Sequence, residues 1–586
     1  MFLNTKVLAA RFTDENIKEM IRECFPFDVF QGGQDRAIFE TVKALAIEGK
    51  HHVVIDAPTG VGKSAVAVTV HRVLEKMVFL TNTSPHPNFD WRTTISTTTK
   101  SLQDQYINDF NEIMDFRGKT NYGCPMGAGS YNTVQCKMKV SSKECSGGEC
   151  PYVRARRDWC NAATIRVTNA AMAIEMCPLL CMGEENSTPL HIIDECHKMG
   201  NAVLDHTVME FEYSRLKKYA DAHLPQADTI LEKVIELMDN VLNEQGMQIG
   251  KIWHPNDEFV QLCGVVNELC EGTLKILEKM IKRDDLSFLQ VTQLSDCITL
   301  LQNLSDYTGI CASTSASDFI IHSLDRMFNP DGSTKEYSLR LKPIVVKDVV
   351  DYALFRKNEY FVHMSATICG AEAYLEEMGI SKDDAHIVTL DNPIPKDNRP
   401  ILFTPIGPMN ARSLEQTLPH MVSGICELMD LHEGECGLIH VSSYKLCEQI
   451  QKLMPREYAD RTHIGRDKKI AVEMLRTSSE KGKQMVVISP SMKEGVDLKG
   501  DLGRFQIIAK VPFGNLGDPH VKYVCDKTPG KYIRETVLDV VQSCGRCVRG
   551  VNDSATTYIL DESFNNVIRN GWAYLPDWWK DTLQQM

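Results

Sequence analysis

A chain of 586 residues is too long for one hydrophobic core and predicts three or four domains. Its 43% hydrophobic and 24% charged content is that of a soluble globular protein, with no apolar run long enough for a membrane helix and no signal-peptide core in residues 1–20. A net charge of −14 excludes a uniformly basic nucleic-acid coat, so any such contact must be local, and twenty cysteines in a chain that stays where it is made are expected as buried thiols or metal ligands rather than disulfides.

Residues 1–50 read as helical. Phe30, Gln31 and Gln34 stand at the end of that region, where Gln34 is placed either to read an adenine edge or simply as a surface glutamine. The apolar run Val53, Val54, Ile55 predicts a buried strand, and Ala65–Met77 predicts a helix free of Gly and Pro. Between them lies Asp56-Ala-Pro-Thr-Gly-Val-Gly-Lys-Ser64. Strand, glycine turn and helix form the context in which Gly-Lys-Ser marks a phosphate-binding loop. Gly60 and Gly62 let successive N–H groups face one anion, and the helix adds its positive dipole end. Ala57, which stands where a first glycine is usual, and Thr59 complete the cradle. Lys63 is expected to reach the β- and γ-phosphates and Ser64 to hold Mg²⁺.

Ser96-Thr-Thr-Thr-Lys-Ser-Leu-Gln-Asp-Gln105 crowds hydroxyls and a lysine at a strand end, which suits phosphate-backbone contact or a helix cap near Leu102. Residues 117–166 reverse the acidic balance, with nine Lys or Arg against three Asp or Glu. Tyr122, Tyr131, Tyr152 and Trp159 lie among these charges, a mixture used on single strands. Cys124, Cys136, Cys145, Cys150 and Cys160 cluster in the same segment, where apolar residues are sparse, so a metal staple is expected. Four thiolates suit zinc or an iron–sulfur cluster, and spacing does not decide between them. Cys177 and Cys181 follow and are read mainly as core or loop thiols.

Leu190-His-Ile-Ile-Asp-Glu-Cys-His197 is an apolar strand ending in paired carboxylates. Asp194 is expected to hold Mg²⁺, Glu195 to polarise the attacking water, and His197 to couple the nucleotide to neighbouring motifs. Ile230, Leu231, Val234, Ile235, Met238, Val241 and Leu242 recur at helical spacing, so residues 205–345 read as an inserted helical domain. Tyr360–Ile368 is another strand, ending in Ser-Ala-Thr 365–367, and Pro393–Pro400 reads as a linker. Gly437–Tyr444 and Met485–Ser489 predict parallel strands of a second α/β unit. On one continuous helix, Gln542, Gly545, Arg546 and Arg549 would share a face, and arginines gathered there suit a γ-phosphate across a domain cleft.

The ordered set resembles the iron–sulfur branch of superfamily 2 helicases, the branch containing XPD and DinG. It comprises Gln34, the 56–64 loop, 96–105, the cysteines, Asp-Glu-Cys-His 194–197, Ser-Ala-Thr 365–367, Glu-Gly-Val-Asp 494–497 and Gln-Ser-Cys-Gly-Arg-Cys-Val-Arg 542–549. The resemblance implies an α/β fold of two RecA-like parallel-sheet domains, with an iron–sulfur domain and a helical arch inserted in the first. The implied boundaries are 1–116, 167–204 and 346–395 for the first RecA-like domain, 117–166 for the cluster domain, 205–345 for the arch and 396–586 for the second RecA-like domain. It further implies ATP and Mg²⁺ in the cleft, with Asp497 among the nucleotide contacts and Gln542, Arg546 and Arg549 acting from the second domain. A [4Fe–4S] cluster on Cys124, Cys136, Cys145 and Cys150 is implied in the same way, with Cys160 left out. The implied activity is ATP-driven unwinding with 5′ to 3′ polarity. The implied partners are single-stranded and forked DNA, for a monomer working in the cytoplasm and nucleoid or in the nucleus, with no membrane. A translocase that does not unwind would share every ATPase residue. A zinc-stapled binding module with a degenerate ATPase is disfavoured by intact Lys63, Asp194, Glu195 and Arg549.

Overall fold

Val53, Val54 and Ile55 lie inside β1 (His52–Asp56), buried on both faces as a central parallel strand must be. The structure is a computed structural model and describes residues 3–81, 91–123, 150–161, 164–174, 188–222, 224–244, 248–281, 283, 288–313, 318–493 and 495–585. β1 belongs to a seven-stranded parallel sheet with β2 (Thr93–Thr97), β3 (Met114–Asp115), β4 (Ile165–Asn169), β5 (Leu190–Asp194), β10 (Tyr360–Ser365) and β11 (Ala385–Thr389), in the order β11-β1-β10-β5-β2-β4-β3. Helices α1 (Thr5–Arg11), α2 (Asp14–Cys24), α3 (Gln34–Ala46), α4 (Lys63–Thr81) and α5 (Lys100–Asp109) accompany this lobe. α4 runs on to Thr81, so Val78–Leu80 continue the helix that the sequence ends at Met77.

The order places β10 between β1 and β5, although more than 160 residues separate β5 from β10 in the chain. Asp56 is in register with Ser365, and Met364 with Asp194. The phosphate loop, Ser365 and the Asp194-Glu195 pair therefore emerge side by side at the carboxyl edge of one sheet, where open α/β sheets bind ligands.

The insertion after α7 (Met199–His206) differs from the helical expectation. Helices α8 (Tyr213–Asp221), α9 (Ala227–Asn243), α10 (Asp257–Met280) and α11 (Phe288–Ser313) pack with an antiparallel sheet of β6 (Met209–Glu212), β7 (Ile252–Trp253), β8 (Phe319–Phe328) and β9 (Thr334–Pro343), ordered β6-β9-β8-β7. Tyr337, Leu339 and Leu341 are buried at every second position of β9, the period-2 pattern of a half-buried strand. One continuous apolar core joins Ile193, Cys196 and Met199 of the first lobe to Phe211, Val234, Cys263 and Leu339 of the insertion. The insertion is packed onto the first lobe rather than strung from it.

After the turn around Ile394 the second lobe forms another seven-stranded parallel sheet, from β12 (Ile401–Gly407), β13 (Gly437–His440), β14 (Thr462–Ile464), β15 (Val486–Ser489), β16 (Phe505–Ile508), β17 (Thr556–Asp561) and β18 (Leu583–Gln585). Its order is β14-β15-β13-β16-β17-β12-β18, and β13 and β15 pair in parallel as their apolar runs predict. Helices α12 (Ala371–Glu377) of the first lobe and α13 (Leu414–Leu431), α14 (Tyr444–Leu453), α15 (Lys468–Glu480), α16 (Pro519–Lys527) and α17 (Pro529–Cys544) of the second complete the frame. No helix among the described residues is long and apolar enough to cross a membrane.

Buried histidines make the fold acid-sensitive. His52 Nδ1 lies 3.1 Å from His363 Nε2, His363 Nδ1 3.0 Å from the Tyr374 hydroxyl, and His71 Nδ1 2.9 Å from Thr93 Oγ1. Burial lowers His52 and His440 to about 4, His71 to about 3, and His363 well below its ordinary value. Below pH 6.5 the unfolded chain binds protons at these imidazoles and the folded chain does not, so stability falls on acidification through the window down to about pH 4. Burial raises Asp56 and Asp194 to about 6, which opposes part of this loss. Four histidines against two carboxylates leave an expected net loss of about 1–3 kcal/mol per pH unit between pH 6 and 4.5. Urea midpoints measured at pH 7.5, 6.0 and 5.0 test it, and a midpoint constant over that range would contradict it.

Candidate active site

Gly60 and Gly62 adopt φ of +88° and +76°, the left-handed region that lets the 57–62 loop wrap an anion. Lys63 and Ser64 open α4 directly after it, and the Lys63 ammonium rests on the Ala57 carbonyl at 3.4 Å. Gln34 is buried behind the loop. Its Oε1 accepts from the Gln31 N–H at 2.8 Å and its Nε2 donates to the Gly62 carbonyl at 3.1 Å. A Cβ on Gly62 would stand 2.5 Å from Gln34 Nε2, so side chain and glycine fit as a pair. The structure thus sets Gln34 bracing the phosphate loop, neither a free surface residue nor an amide left wholly to a base.

Asp194 ends β5, buried, with Oδ2 accepting from the Tyr106 hydroxyl at 3.1 Å and Oδ1 from the Glu195 N–H at 3.0 Å. Glu195 holds φ 57° and ψ 48°, a left-handed turn unusual for a residue with a side chain. Burial and the adjacent Glu195 charge push Asp194 up to about 6. Burial also pushes Glu195 up, but His197, Lys63, Arg546 and Lys198 outweigh it and hold Glu195 below the ordinary carboxylate range. The two carboxylates are thereby set apart, with Glu195 ionised well below neutral pH. Cys196 is fully buried beside Tyr374 and its thiol is pushed well up by burial, a packing residue rather than a nucleophile.

A hydrogen-bonded line crosses from one lobe to the other. Gln542 Nε2 lies 2.8 Å from His197 Nε2. His197 Nδ1 lies 2.7 Å from Ser365 Oγ, and that hydroxyl lies 3.3 Å from Glu195 Oε2. Arg549 adds a backbone contact: a Cβ on Gly60 would lie 3.2 Å from its carbonyl oxygen. The cleft between the lobes is closed at this point.

Gln542, Arg546 and Arg549 meet here but not on one helical face. α17 ends at Cys544, and Gly545 caps it, so only Gln542 is helical and both arginines lie in the following loop. Arg546 Nε donates to the Gln542 carbonyl at 2.9 Å. Arg549 donates to the Val496 carbonyl at 3.0 Å and lies 3.5 Å from Asp497, which is thus placed on the arginine. The loop conformation, rather than helical periodicity, brings these charges to the cleft.

Strand-end hydroxyls form a second constellation. Thr98 and Asn169, at the ends of β2 and β4, and Lys100, at the start of α5, line a cleft of about 690 Å³ with Lys198 and with Lys493 and Arg534 of the second lobe; Asp205, Glu377, Glu535 and Asp539 line it too, Asp539 paired with Lys493 and Glu377 with Arg534. Thr99 caps α5, its Oγ1 accepting from the Leu102 N–H.

Cys124, Cys136, Cys145, Cys177, Cys181 and Tyr131 lie outside the described residues, as does Glu494. Cys150 is buried at the head of α6 (Pro151–Asn161), against an aromatic cluster of Phe116, Tyr152 and Trp159. Tyr152 and Trp159 are therefore core and do not offer faces to bases, while Arg154 and Arg157 on α6 are exposed. No group of three or more metal-ligating side chains occurs among the described residues. Nothing in the sequence marks Tyr106, whereas Asp56 and Ser365 belong to motifs legible there and strand order sets them side by side.

The Helicase C-terminal domain family matches residues 425–582, within the second lobe. The ATP-dependent DNA helicase DinG of Photobacterium profundum is 26% identical over 258 residues, 41% of this chain and 36% of that helicase. The ATP-dependent DNA helicase YoaA of Haemophilus influenzae is 21% identical over 629 aligned positions, 90% of each chain. The chain thus spans about a third of the first relative and nine-tenths of the second. In fold it is similar to a solved XPD helicase, with a TM-score of 0.52 and 11% identity over 96% of this chain and all of the other. It is likewise similar to Xpd4 of S. tokodaii, at a TM-score of 0.50 and 13% identity over 94% of this chain and 99% of the other.

Two parallel-sheet lobes meeting over the glycine loop that follows β1 define a RecA-like pair. The second lobe thus matches a helicase C-terminal domain, and the fold as a whole is that of solved XPD helicases.

Proposed function

We propose that the protein is an ATP-dependent DNA helicase that moves 5′ to 3′ on single-stranded DNA and unwinds forked duplexes as a monomer. The observation that carries this reading is the line Gln542–His197–Ser365–Glu195, which ties the second lobe to the hydrolytic carboxylate through hydrogen bonds of 2.8, 2.7 and 3.3 Å. Opening the cleft breaks it at Gln542, and closing it restores the arrangement around Glu195. Hydrolysis and lobe movement are in this way one event.

The phosphate-loop N–H groups and Lys63 bind the β- and γ-phosphates, and Arg546 and Arg549 bring positive charge from the other lobe. Ser64 and Asp194 are the residues to hold Mg²⁺, which neutralises phosphate charge when bound. Asp194 fits this task as a buried carboxylate with both oxygens fixed by donors. Glu195, kept ionised, orients the attacking water and takes its proton. The first-lobe wall of that cleft, with Thr98, Lys100, Asn169 and Lys198, is the track for the strand, its hydroxyls and lysines suited to phosphates rather than bases, while Lys493 opposite is paired with Asp539.

The cluster reading rests on the donor set. Cys150, buried at the start of α6 and packed on aromatics, fits a thiolate ligand of [4Fe–4S], with Cys124, Cys136 and Cys145 as the other three. Bound there, the cluster would staple a segment poor in apolar residues, and the exposed arginines of α6 would lie beside the strand.

The test is ATP-driven strand displacement by anaerobically purified protein on duplexes with a 5′ or a 3′ single-stranded tail. Unwinding only from the 5′ tail is expected. Strand-stimulated hydrolysis without unwinding from either tail would make the protein a translocase, and no stimulated hydrolysis would refute the motor.

A further inference from the structure

α5 reaches both constellations. It begins at the strand-end cleft, where Thr98 and Lys100 line the wall and Thr99 caps the helix. Six residues on, about 9 Å along the helix axis, the hydroxyl of Tyr106 donates to Asp194 Oδ2 at 3.1 Å. The Tyr106 ring is packed in the first lobe's core, beside Phe110. The Asp194 carboxylate accepts from the neighbouring Glu195 N–H and from the Tyr106 hydroxyl of α5. The phenolic O–H is the donor in this contact and the carboxylate oxygen the acceptor.

We propose that Tyr106 is the positioning residue through which a single strand, bound at the head of α5, acts on Asp194. The inference rests on the reading of the protein as a strand-stimulated ATPase and adds the route of stimulation. A ten-residue helix anchored by a buried ring moves as a unit. Phosphates engaging Thr98, Lys100 and the capped first turn settle α5, and its hydroxyl settles the carboxylate that is to hold Mg²⁺. Tyr106 touches neither strand nor nucleotide in this scheme. Its effect is therefore expected on Mg²⁺ use and on strand-saturated turnover, not on strand affinity.

The test compares wild type, Tyr106→Phe, Lys100→Ala and the double variant, with ATP, titrated Mg²⁺ and an oligothymidylate. Tyr106→Phe removes only the hydroxyl. Its strand-saturated kcat is expected to fall about tenfold, the worth of a hydrogen bond to a charged group. Half-saturating Mg²⁺ should rise several-fold in parallel, while oligonucleotide Kd changes less than about twofold and strand-free hydrolysis changes less than stimulated hydrolysis. Lys100→Ala should weaken strand binding. At saturating strand it should also raise half-saturating Mg²⁺, with the two substitutions less than additive because they lie on one route. Tyr106→Phe with an unchanged stimulation ratio and Mg²⁺ midpoint, whether or not its melting temperature falls, would overturn the inference alone. So would full additivity in the double variant. A wild-type protein with no strand-stimulated hydrolysis would instead overturn the motor reading, and the inference with it.

Discussion

Glu195→Gln is expected to lower the proposed strand-stimulated ATP hydrolysis by about 10²–10⁴-fold, the range over which a positioned general base contributes. The substitution conserves shape and leaves an oxygen to accept from Ser365, so the line from Gln542 through His197 keeps its geometry. What it removes is the negative charge that His197, Lys63 and Arg546 hold ionised against the pull of burial. ATP binding should survive, within about threefold in Kd, because the phosphate loop and Lys63 are untouched. Such a protein should hold nucleotide with its lobes closed and turn over very slowly. Steady-state hydrolysis and equilibrium binding of a fluorescent ATP analogue separate the two effects. Near-normal turnover would mean that Glu195 serves only the left-handed turn after β5, and the water would need another base.

Glu377→Ala is expected to loosen the two lobes by about 3–5 kcal/mol, the usual result of stranding one member of a buried ion pair. Glu377 closes α12 in the first lobe and receives two cations from α17 of the second. Lys531 Nζ lies 2.7 Å from its Oε1, and Arg534 pairs closely with Oε2. Arg534 is only 5% exposed, and its other bond in this contact is to the Ile368 carbonyl at 3.3 Å. Without Glu377, that guanidinium is left buried against a single carbonyl, or the lobes part to hydrate it. The same helix carries Gln542 at its far end, so parting here should also break the contact with His197. Expected readouts are a larger radius in small-angle scattering, a lower melting temperature and reduced stimulated hydrolysis. Replacing Glu377 and Arg534 together by leucine should restore part of the lost stability, since the one cation left at the contact, Lys531, still faces Glu535 at 4.0 Å. If Glu377→Ala alone scatters and melts like wild type, the pair is a surface contact without influence on closure.

The legible parts of the chain were those whose chemistry is local. The 56–64 loop could be read because glycine freedom, a strand before and a helix after are all sequence properties, and the structure has Gly60 and Gly62 at positive φ in that context. The insertion was legible only in half. The helical spacing of Ile230, Leu231, Val234 and Met238 is a strong signal, whereas the alternation of Tyr337, Leu339 and Leu341 spans only three apolar positions and is masked by the helical segments before it. Periodicity also misled at the end of α17, where Arg546 and Arg549 share a face only if the helix continues past Gly545. Tyr152 and Trp159 looked like stacking faces because aromatic residues among arginines are equally consistent with a small core, and burial is invisible in composition.

By itself the sequence determined the phosphate loop, the paired carboxylates and the order of motifs, because each depends on residues adjacent in the chain. Only the tertiary structure decided which of these touch. Strand order set Ser365 between the phosphate loop and Glu195, across an insertion that no spacing rule spans. The closure of one lobe on the other set Gln542 against His197, and the packing of α5 set Tyr106 against Asp194. Hydrogen bonds act over about 3 Å, and a chain brings distant residues that close only by folding.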